Sequence, residues 1–315
     1  MKQNTLFKMM SDVISELRNN RQWGTVHIYQ STYNSFFLFN KENDLSFSAL
    51  TPSLLKDYEI YLRNKGLKWN TVATYMKVLK AVYNRAVDQE MAVFVPRLFK
   101  NVKTAPSVER KKALEAQTMH HILVDDSKHP VGEAEAGRTT RLFFSLMFLL
   151  RGISFVDLVH LRKNDIQGST LRYRRRKTGK EMSVSLTDEA LELIRQLSSD
   201  NPDSYYLFPF LIHQEGSLEA YKEYQCALRR FNRLLYAFSK HHLEGISLTS
   251  YSARHSWATL AYHCEIHPGI ISEAMGHSSI VVTETYLKPF QDDRIDQANR
   301  TVIDFCRYLR SNRHK

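Results

Sequence analysis

Residues 275–286 read MGHSSIVVTETY, and they are the most informative stretch of this sequence. A Gly-His pair places His277 in a turn, and Tyr286 follows nine positions later. Taken alone, His277 is an ordinary turn or cap histidine and Tyr286 a half-buried aromatic residue. The pair gains meaning from three segments upstream that carry arginine and lysine.

The upstream segments place positive charge at unusual points of the chain. Residues 249–260 read TSYSARHSWATL, so Arg254 lies near the start of a helix that is otherwise small and apolar, where a charge needs a partner. Residues 172–180 read RYRRRKTGK and put six cations on one predicted hairpin. Arg151 stands before a helix-breaking glycine. Each also has a structural interpretation: a bracing arginine, a solvated edge strand and a helix-end cation.

Together and in this order, the four segments resemble the tyrosine recombinase family, also called phage-type integrases, and in particular the integrases and invertases of mobile elements. The resemblance covers almost the whole chain. It implies a mainly α fold with a small β-hairpin or sheet, in a two-domain DNA-breaking-rejoining architecture: a helical core-binding domain and a mixed catalytic domain. It also implies that Tyr286 is the nucleophile and that Arg254, His277 and Lys177 belong to the catalytic set.

Two positions depart from the family pattern. The family's second-arginine box begins with a histidine three residues before the arginine, and this chain has Tyr251 there. The family's first arginine aligns with Ser154, and we expect the nearby Arg151 to replace it. The base for the nucleophile stays open: either His277 or His255 takes that role, or the cations suffice to favour the phenolate.

The reaction explains why these residue types are needed. Transesterification at a DNA phosphodiester must stabilise charge on the non-bridging oxygens, deprotonate the attacking hydroxyl and protonate the leaving 5′ oxygen. A guanidinium donates paired hydrogen bonds to phosphate and stays charged, which suits Arg254 and Arg151. Lys177 is the expected general acid, with Lys180 as the alternative. Tyr286 would form a 3′-phosphotyrosine, which keeps the bond energy for resealing.

We expect neither a cofactor nor a metal. His263, Cys264 and His267 form the segment that most suggests a metal site. It lacks the paired carboxylates of two-metal nucleases, and a fourth zinc ligand is not evident. The phosphotyrosine route needs no ATP.

The charge balance favours a polyanionic partner, although solubility is the simpler interpretation. The 315 residues include 44 Lys and Arg against 33 Asp and Glu, for a net charge of +11 and a sequence pI near 9.4. Positions 1–110 hold 16 basic and 9 acidic residues, so the first third carries +7. Three separate cysteines, and no apolar run of about 20 residues, predict a cytoplasmic protein without a membrane span.

Pro96 and Pro106 bracket a basic stretch with few periodic apolar positions, and this pattern places the domain boundary near residues 100–110. Four amphipathic helices precede it, the third opened by a Thr-Pro pair at 51–52 and the fourth by an Asn-Thr pair at 70–71. We expect 1–105 to be a helical core-binding domain that clamps DNA, and 106–315 a catalytic domain with a C-terminal helix. The cations expected to contact DNA are Lys68, Lys77, Lys80, Arg85, Arg174, Arg176 and Lys180.

The second part of the chain predicts helices around 118–124 and 139–150, a capping box at 154–157, and a hairpin of strands 169–175 and 181–186. Helices then dominate to the C-terminus. The last amphipathic pattern predicts a helix that docks on a neighbouring subunit or packs on its own domain. Its apolar residues are Ile295, Val302, Ile303, Phe305 and Leu309.

The resemblance implies a homotetramer, joined through the C-terminal helix, on double-stranded DNA with specific recombination sites. Integration, excision and inversion all remain open. A second function is a catalytically inactive DNA-binding or architectural protein that has lost chemistry through Tyr251 and Ser154. A third is a type IB-like topoisomerase, which would relax DNA without a defined site.

Overall fold

The structure, a computed structural model, describes residues 5–105, 113–123, 135–243, 245–284, 296–297 and 299–304. The predicted mainly α fold with a small antiparallel sheet is confirmed. The chain forms two compact units. The first contains Met1–Arg110 with Phe210–Ala227, and the second contains Lys111–Pro209 with Leu228–Lys315.

The first unit holds the four predicted helices: α1 Leu6–Asn19, α2 Trp23–Phe39, α3 Pro52–Asn64 and α4 Trp69–Asp88. The start of α3 is as predicted, because the Thr51 hydroxyl accepts a hydrogen bond from the Leu54 amide at 3.2 Å and proline occupies the first turn.

Helix α4 begins earlier than the Asn-Thr pair at 70–71 predicts. Its first residue is Trp69, and Lys68 is the N-cap in an extended conformation without a side-chain cap. The Arg63 guanidinium lies 4.5 Å and the Lys103 ammonium 5.2 Å from the centre of the indole ring of Trp69. These cation–π contacts hold the first residue of the helix, so the Asn-Thr pair falls inside the first turn.

The core of the first unit is aromatic. Phe36 and Tyr58 are fully buried with their rings 4.7 Å apart, edge to face, and the Tyr58 hydroxyl donates to Ser35 Oγ at 2.8 Å. Leu98 and Phe99, which follow α4, are buried in the same core. This part of the basic stretch is therefore packed, and its few apolar residues are the ones that anchor it.

A second stretch of chain, Phe210–Ala227, belongs to the first unit. The indole nitrogen of Trp23 donates to the Gly216 carbonyl at 2.8 Å. The half-buried Glu223 carboxylate accepts from the Ile212 amide at 3.0 Å and from the His213 amide at 3.2 Å, and these two hydrogen bonds fix the loop. Its pattern in the sequence does not predict this excursion.

The second unit contains mainly short helices around a small sheet. They are α5 Ala116–Leu123, α6 Glu135–Leu149, α7 Phe155–Val159, α8 Asp188–Leu197, α9 Leu218–His242, α10 Ser250–His263, α11 Pro268–Ala274 and α12 Ile280–Glu284, where α9 begins in the residues grouped with the first unit. Helix α6 is the centre: its Phe144, Leu146 and Met147 are fully buried, and it packs against α8 and α10.

The sheet has three antiparallel strands in the order β1 Ile166–Gln167, β2 Thr170–Arg174 and β3 Glu181–Ser185. The predicted hairpin of β2 and β3 is confirmed, with Leu171 opposite Val184 and Tyr173 opposite Met182. Strand β1 is not predicted from the sequence, because a strand of two residues has no alternation of apolar and polar positions.

Part of the C-terminal prediction lies outside the described residues, namely Ile295, Phe305 and Leu309. Residues 299–304 are helical, and within them Val302 is 62% and Ile303 40% exposed. Across the part of the chain that the structure describes, every helix is too short or too polar to span a bilayer.

Candidate active site

Arg254 is the best-defined cation of the site. It lies in the second turn of α10 and is 2% exposed. Its Nη1 donates to the Gly152 carbonyl at 2.8 Å, and its Nη2 donates to the Met275 carbonyl at 2.6 Å. Both of these acceptors are neutral, so the two bonds fix the orientation of the guanidinium without cancelling its charge.

Gly152 is needed for this arrangement. Its φ is +67°, and a Cβ atom there would lie 2.8 Å from the Arg254 Cα. Only glycine satisfies both the left-handed backbone and this close approach. Arg151, the cation predicted to replace the family's first arginine, is half-buried beside it and donates from Nη1 to the Ser183 carbonyl of β3 at 3.2 Å.

Arg175 is a second buried guanidinium, and the sequence analysis did not select it. It follows β2, is 6% exposed, and donates from Nη1 to the Gly276 carbonyl at 2.5 Å. Its Nε lies 3.7 Å from Asp157 Oδ2. Strand alternation was the available signal, because Leu171 is buried and Arg175 lies two pairs further along the same face.

Asp157 joins the hairpin to α7. This carboxylate is 3% exposed and accepts from the Ser154 hydroxyl at 2.5 Å and from the Arg176 amide at 2.8 Å. Ser154 caps α7 as predicted, because its hydroxyl accepts from the Asp157 amide at 3.4 Å, but the Asp157 carboxylate holds the end of β2 instead of closing a reciprocal capping box. Ser154, at the position of the family's first arginine, helps to orient the carboxylate that faces Arg175.

His277 lies beside both guanidinium groups in the turn between α11 and α12. It is 7% exposed, and its Nδ1 is 2.8 Å from Thr283 Oγ1. Burial, as the largest cause, and the positive charges of Arg254, Arg175, Lys177 and Lys180 together lower the pKa of His277 from 6.5 to about 3. The imidazole is therefore neutral at physiological pH.

The turn that holds His277 is closely packed. Gly276 has a φ of +63°, and a Cβ atom there would lie 2.6 Å from Met182 Sδ and 3.0 Å from Arg175 Cδ. The peptide can approach the hairpin because this residue has no side chain. Thr178 Oγ1 also donates to the Gly276 carbonyl at 3.4 Å, so the hairpin turn contacts the same peptide.

Lys177 and Lys180 lie on the hairpin turn. The turn is closed by hydrogen bonds from the Gly179 amide to the Arg175 carbonyl at 2.7 Å and from the Arg175 amide to the Lys180 carbonyl at 2.8 Å. Lys177 is exposed and Lys180 half-buried, yet both are near enough to act on the pKa of His277. The predicted general acid thus lies at the edge of the site.

Tyr173 lies among the same charges. Its pKa is raised, first by burial and then by the negative charge of Asp157, while Arg254, Arg175 and Arg151 lower it. This phenol stays protonated at neutral pH. Its surroundings show that all three arginines lie around one point of the sheet.

Other predicted residues are placed as follows. Tyr286 lies outside the described residues. Tyr251, at the family's histidine position, is 44% exposed with its ring 4.8 Å from the His255 ring. Arg174 is exposed and paired with Glu181 at 2.7 Å. Of the other cations predicted to contact DNA, Arg85 is half-buried and paired with Glu16. The exposed ones are Lys68, Lys77, Lys80 and Arg176.

His263, Cys264 and His267 form the segment of the sequence that most suggests a metal site. Among the described residues, no three His, Cys, Asp or Glu side chains come close enough together to hold a metal ion. Instead, the His267 ring accepts from the Gly269 amide at 3.0 Å and caps α11, a structural role.

The fold is similar to that of solved integrases. The integrase of the transposon Tn1549, in complex with a circular intermediate DNA, aligns with a TM-score of 0.66 at 17% identity, over 94% of this chain and 99% of that chain. A lambda integrase dimer bound to a COC′ core site aligns with a TM-score of 0.64 at 16% identity, over 90% of this chain and 95% of that chain. A lambda integrase tetramer bound to a Holliday junction aligns with a TM-score of 0.60 at 15% identity, over 90% of this chain and 77% of that chain.

Two family models match the sequence itself, whereas no curated protein does. The model of the phage integrase SAM-like domain matches residues 5–100, and that of the phage integrase family matches residues 112–292. Because the second model spans more than half of the chain, the chain belongs to the phage integrase family and is a tyrosine-type site-specific DNA recombinase.

Proposed function

We propose that this recombinase cuts and rejoins DNA through a 3′-phosphotyrosine intermediate formed on Tyr286. The observation that carries the proposal is the pair of buried guanidinium groups, Arg254 and Arg175, which flank the neutral His277. Fixed positive charge at such a site stabilises an anionic transition state. Burying two guanidinium groups costs desolvation free energy, which a neutral ligand would not offset.

The chemical step forms one bond and breaks one. The Tyr286 hydroxyl gives its proton to water, a loss that the cations of the site would favour, and its oxygen attacks the phosphorus. The bond to the 5′ oxygen breaks, and that oxygen takes a proton from Lys177. The 5′ hydroxyl of another strand then reverses the step on the phosphotyrosine and releases the tyrosine. Lys177 suits the acid role because its ammonium is exposed on the hairpin turn and lies close enough to His277 to lower the pKa of that residue.

Arg254 and Arg175 are the proposed clamp on the non-bridging oxygens. Backbone carbonyls fix the planes of both guanidinium groups, and the Asp157 carboxylate also faces Arg175, so little reorganisation is needed when the phosphate arrives. Arg175 thus offers the second guanidinium that the sequence analysis sought in Arg151. With two arginines available despite Ser154, the inactive DNA-binding function loses its main argument.

The covalent step is tested with a nicked suicide substrate made from the DNA that adjoins the gene. Wild-type protein should form an adduct that survives denaturing electrophoresis, and Tyr286→Phe should form none. Tyr236→Phe, which changes a tyrosine that is 55% exposed on α9, is the matched control and should keep the adduct. An adduct that persists in Tyr286→Phe would refute the nucleophile.

The same assay separates recombination from topoisomerase activity. A recombinase should exchange strands between two copies of a defined site, whereas a type IB-like topoisomerase would relax supercoiled plasmids of any sequence. Relaxation of supercoiled plasmids without strand exchange would contradict the proposed recombination and would assign the covalent step to a topoisomerase.

The domain and assembly proposals extend this function. Residues 1–105 would bind DNA through the exposed cations of α4, and 106–315 would carry catalysis. The exposed Val302 and Ile303 suit docking of the C-terminal helix on a neighbouring subunit in a tetramer, as does the likeness to the lambda integrase tetramer bound to a Holliday junction. Cross-linking on DNA, with and without Val302→Glu, tests the assembly.

The proposed location is the cytoplasm of a cell that carries the mobile element. The exposed thiols of Cys226 and Cys264 suit this reducing compartment.

A further inference from the structure

We propose that Thr283 is a positioning residue that keeps the proton of His277 on Nε2 and ties the imidazole to α12. The proposal deepens the proposed function, because it assigns His277 the role of hydrogen-bond donor to the phosphate and withdraws it as the base for Tyr286. It concerns residues that the structure describes, and the nucleophile is not among them.

The contact is short and buried. Thr283 Oγ1 and His277 Nδ1 are 2.8 Å apart, with Thr283 fully buried and His277 7% exposed. Their helices, α11 before the turn and α12 after it, pack against each other. Water is therefore excluded, and the one hydrogen between the two atoms must come from either the hydroxyl or the ring.

The hydroxyl is the better donor because its proton has few other acceptors. Threonines in helices commonly donate to the carbonyl four residues back, at 2.7–3.0 Å here, and the examples are Thr32, Thr74, Thr140 and Thr301. Thr283 makes no such bond to Ser279, whose carbonyl accepts from the Val282 amide at 3.2 Å. Among the described residues, Nδ1 of His277 is the acceptor that remains for this buried hydroxyl.

The ring carries a single proton, so the acceptor role of Nδ1 decides where that proton is. Burial and four cations keep His277 neutral, with a pKa of about 3. A neutral ring whose Nδ1 accepts must be protonated at Nε2. An Nε2 proton is a donor that suits a non-bridging phosphate oxygen between two guanidinium groups, and such a ring cannot take a proton from tyrosine at Nε2.

The same bond anchors the start of the nucleophile segment. In the sequence, Thr283 precedes Tyr286 by three positions. One hydroxyl thus links the group that contacts phosphate to the helix that leads into the attacking residue. Loss of the hydroxyl should loosen both.

The test compares Thr283→Val, which keeps the shape and removes the hydroxyl, with Thr283→Ser, which keeps the hydroxyl. In the full chain without DNA, nitrogen-15 NMR of the histidine rings reports the tautomer, and the His277 signals are those that disappear in His277→Asn. We expect the Nε2–H tautomer in the wild type and in Thr283→Ser, and a mixed population in Thr283→Val. An Nδ1–H tautomer in the wild type would overturn the proposal.

Adduct formation on the suicide substrate gives the second readout. Loss of one such hydrogen bond should slow the step about tenfold in Thr283→Val at saturating DNA, and Thr283→Ser should stay within about threefold of the wild type. Equal rates in Thr283→Val and the wild type would refute the positioning role. If the wild type forms no adduct, the proposed function fails, whereas the NMR result still decides the tautomer.

Discussion

On α4, Lys77 and Lys80 stand exposed on a helix surface, whereas Arg254 and Arg175 in the second unit are 2% and 6% exposed. The lysines are free to follow a phosphate backbone, and their attraction is weakened by salt. The arginines are held by carbonyls and a carboxylate, so their geometry is set before DNA arrives. The difference suggests that one region supplies affinity and the other supplies chemistry.

The largest effect that tests this contrast is expected from Arg175→Lys. Lysine keeps the charge beside Asp157 but cannot reproduce the planar fork, so adduct formation should fall by about 10²–10³-fold while DNA affinity changes little. Single-turnover rates and DNA titrations measure the two separately. Arg195→Lys, an exposed arginine of α8, is the control. A greater loss in Arg151→Lys than in Arg175→Lys would restore Arg151 as the second clamp.

A smaller effect is expected from Gly276→Ala. A methyl group would strain the left-handed backbone and collide with Met182, so the variant should lose about 2 kcal/mol of stability and displace the Gly276 carbonyl from Arg175. Gly168→Ala is the matched control, because its φ of +59° is similar and its surroundings are open. Chemical denaturation should therefore show about 1 kcal/mol for the control. Equal losses would show that the packing around Gly276 is unimportant.

Substitution of the exposed lysines of α4 is expected to change DNA affinity and to leave the rate of the covalent step unchanged. Lys77→Ala and Lys80→Ala should each weaken DNA binding and reduce the slope of log K against log salt by about 1, with unchanged adduct rates at saturation. Lys8→Ala, which removes a lysine already paired with Asp12 at 2.8 Å, should change the slope less. An unchanged slope in both α4 variants would remove this helix from the DNA interface.

The smallest effect concerns pH. The pKa of His277 is about 3 in the folded protein and 6.5 in its ordinary, unfolded environment. Between pH 3 and pH 6.5 the unfolded state therefore binds more protons than the folded state, which lowers the free energy of unfolding. His277 therefore contributes stability above pH 6.5 that is lost as the pH falls toward 3. Thermal unfolding at pH 7 and pH 5 should show a smaller acid loss in His277→Asn than in the wild type. The same loss in both would contradict the buried neutral imidazole.

The sequence predicts the helices of the first unit and the hairpin well because both follow from local periodicity and capping, as at Thr51. It predicts that Arg254 needs a partner but not which one, since Gly152 and Met275 are 102 and 21 positions away. Arg175 was hidden among exposed cations, and strand alternation separates it from them. The position of Tyr286 in the site stays a prediction.

The hydrogen bond between Trp23 and Gly216 bears on how the protein can be divided. Residues 210–227 complete the first unit, so a fragment that starts at residue 111 would contain this loop without the Trp23 indole that holds it. A fragment that ends at residue 110 would contain the indole without the Gly216 carbonyl that accepts its hydrogen bond. Chimeras between recombinases that exchange the N-terminal half at a single junction will therefore fold poorly here. Exchanging the loop together with the N-terminal half should restore expression.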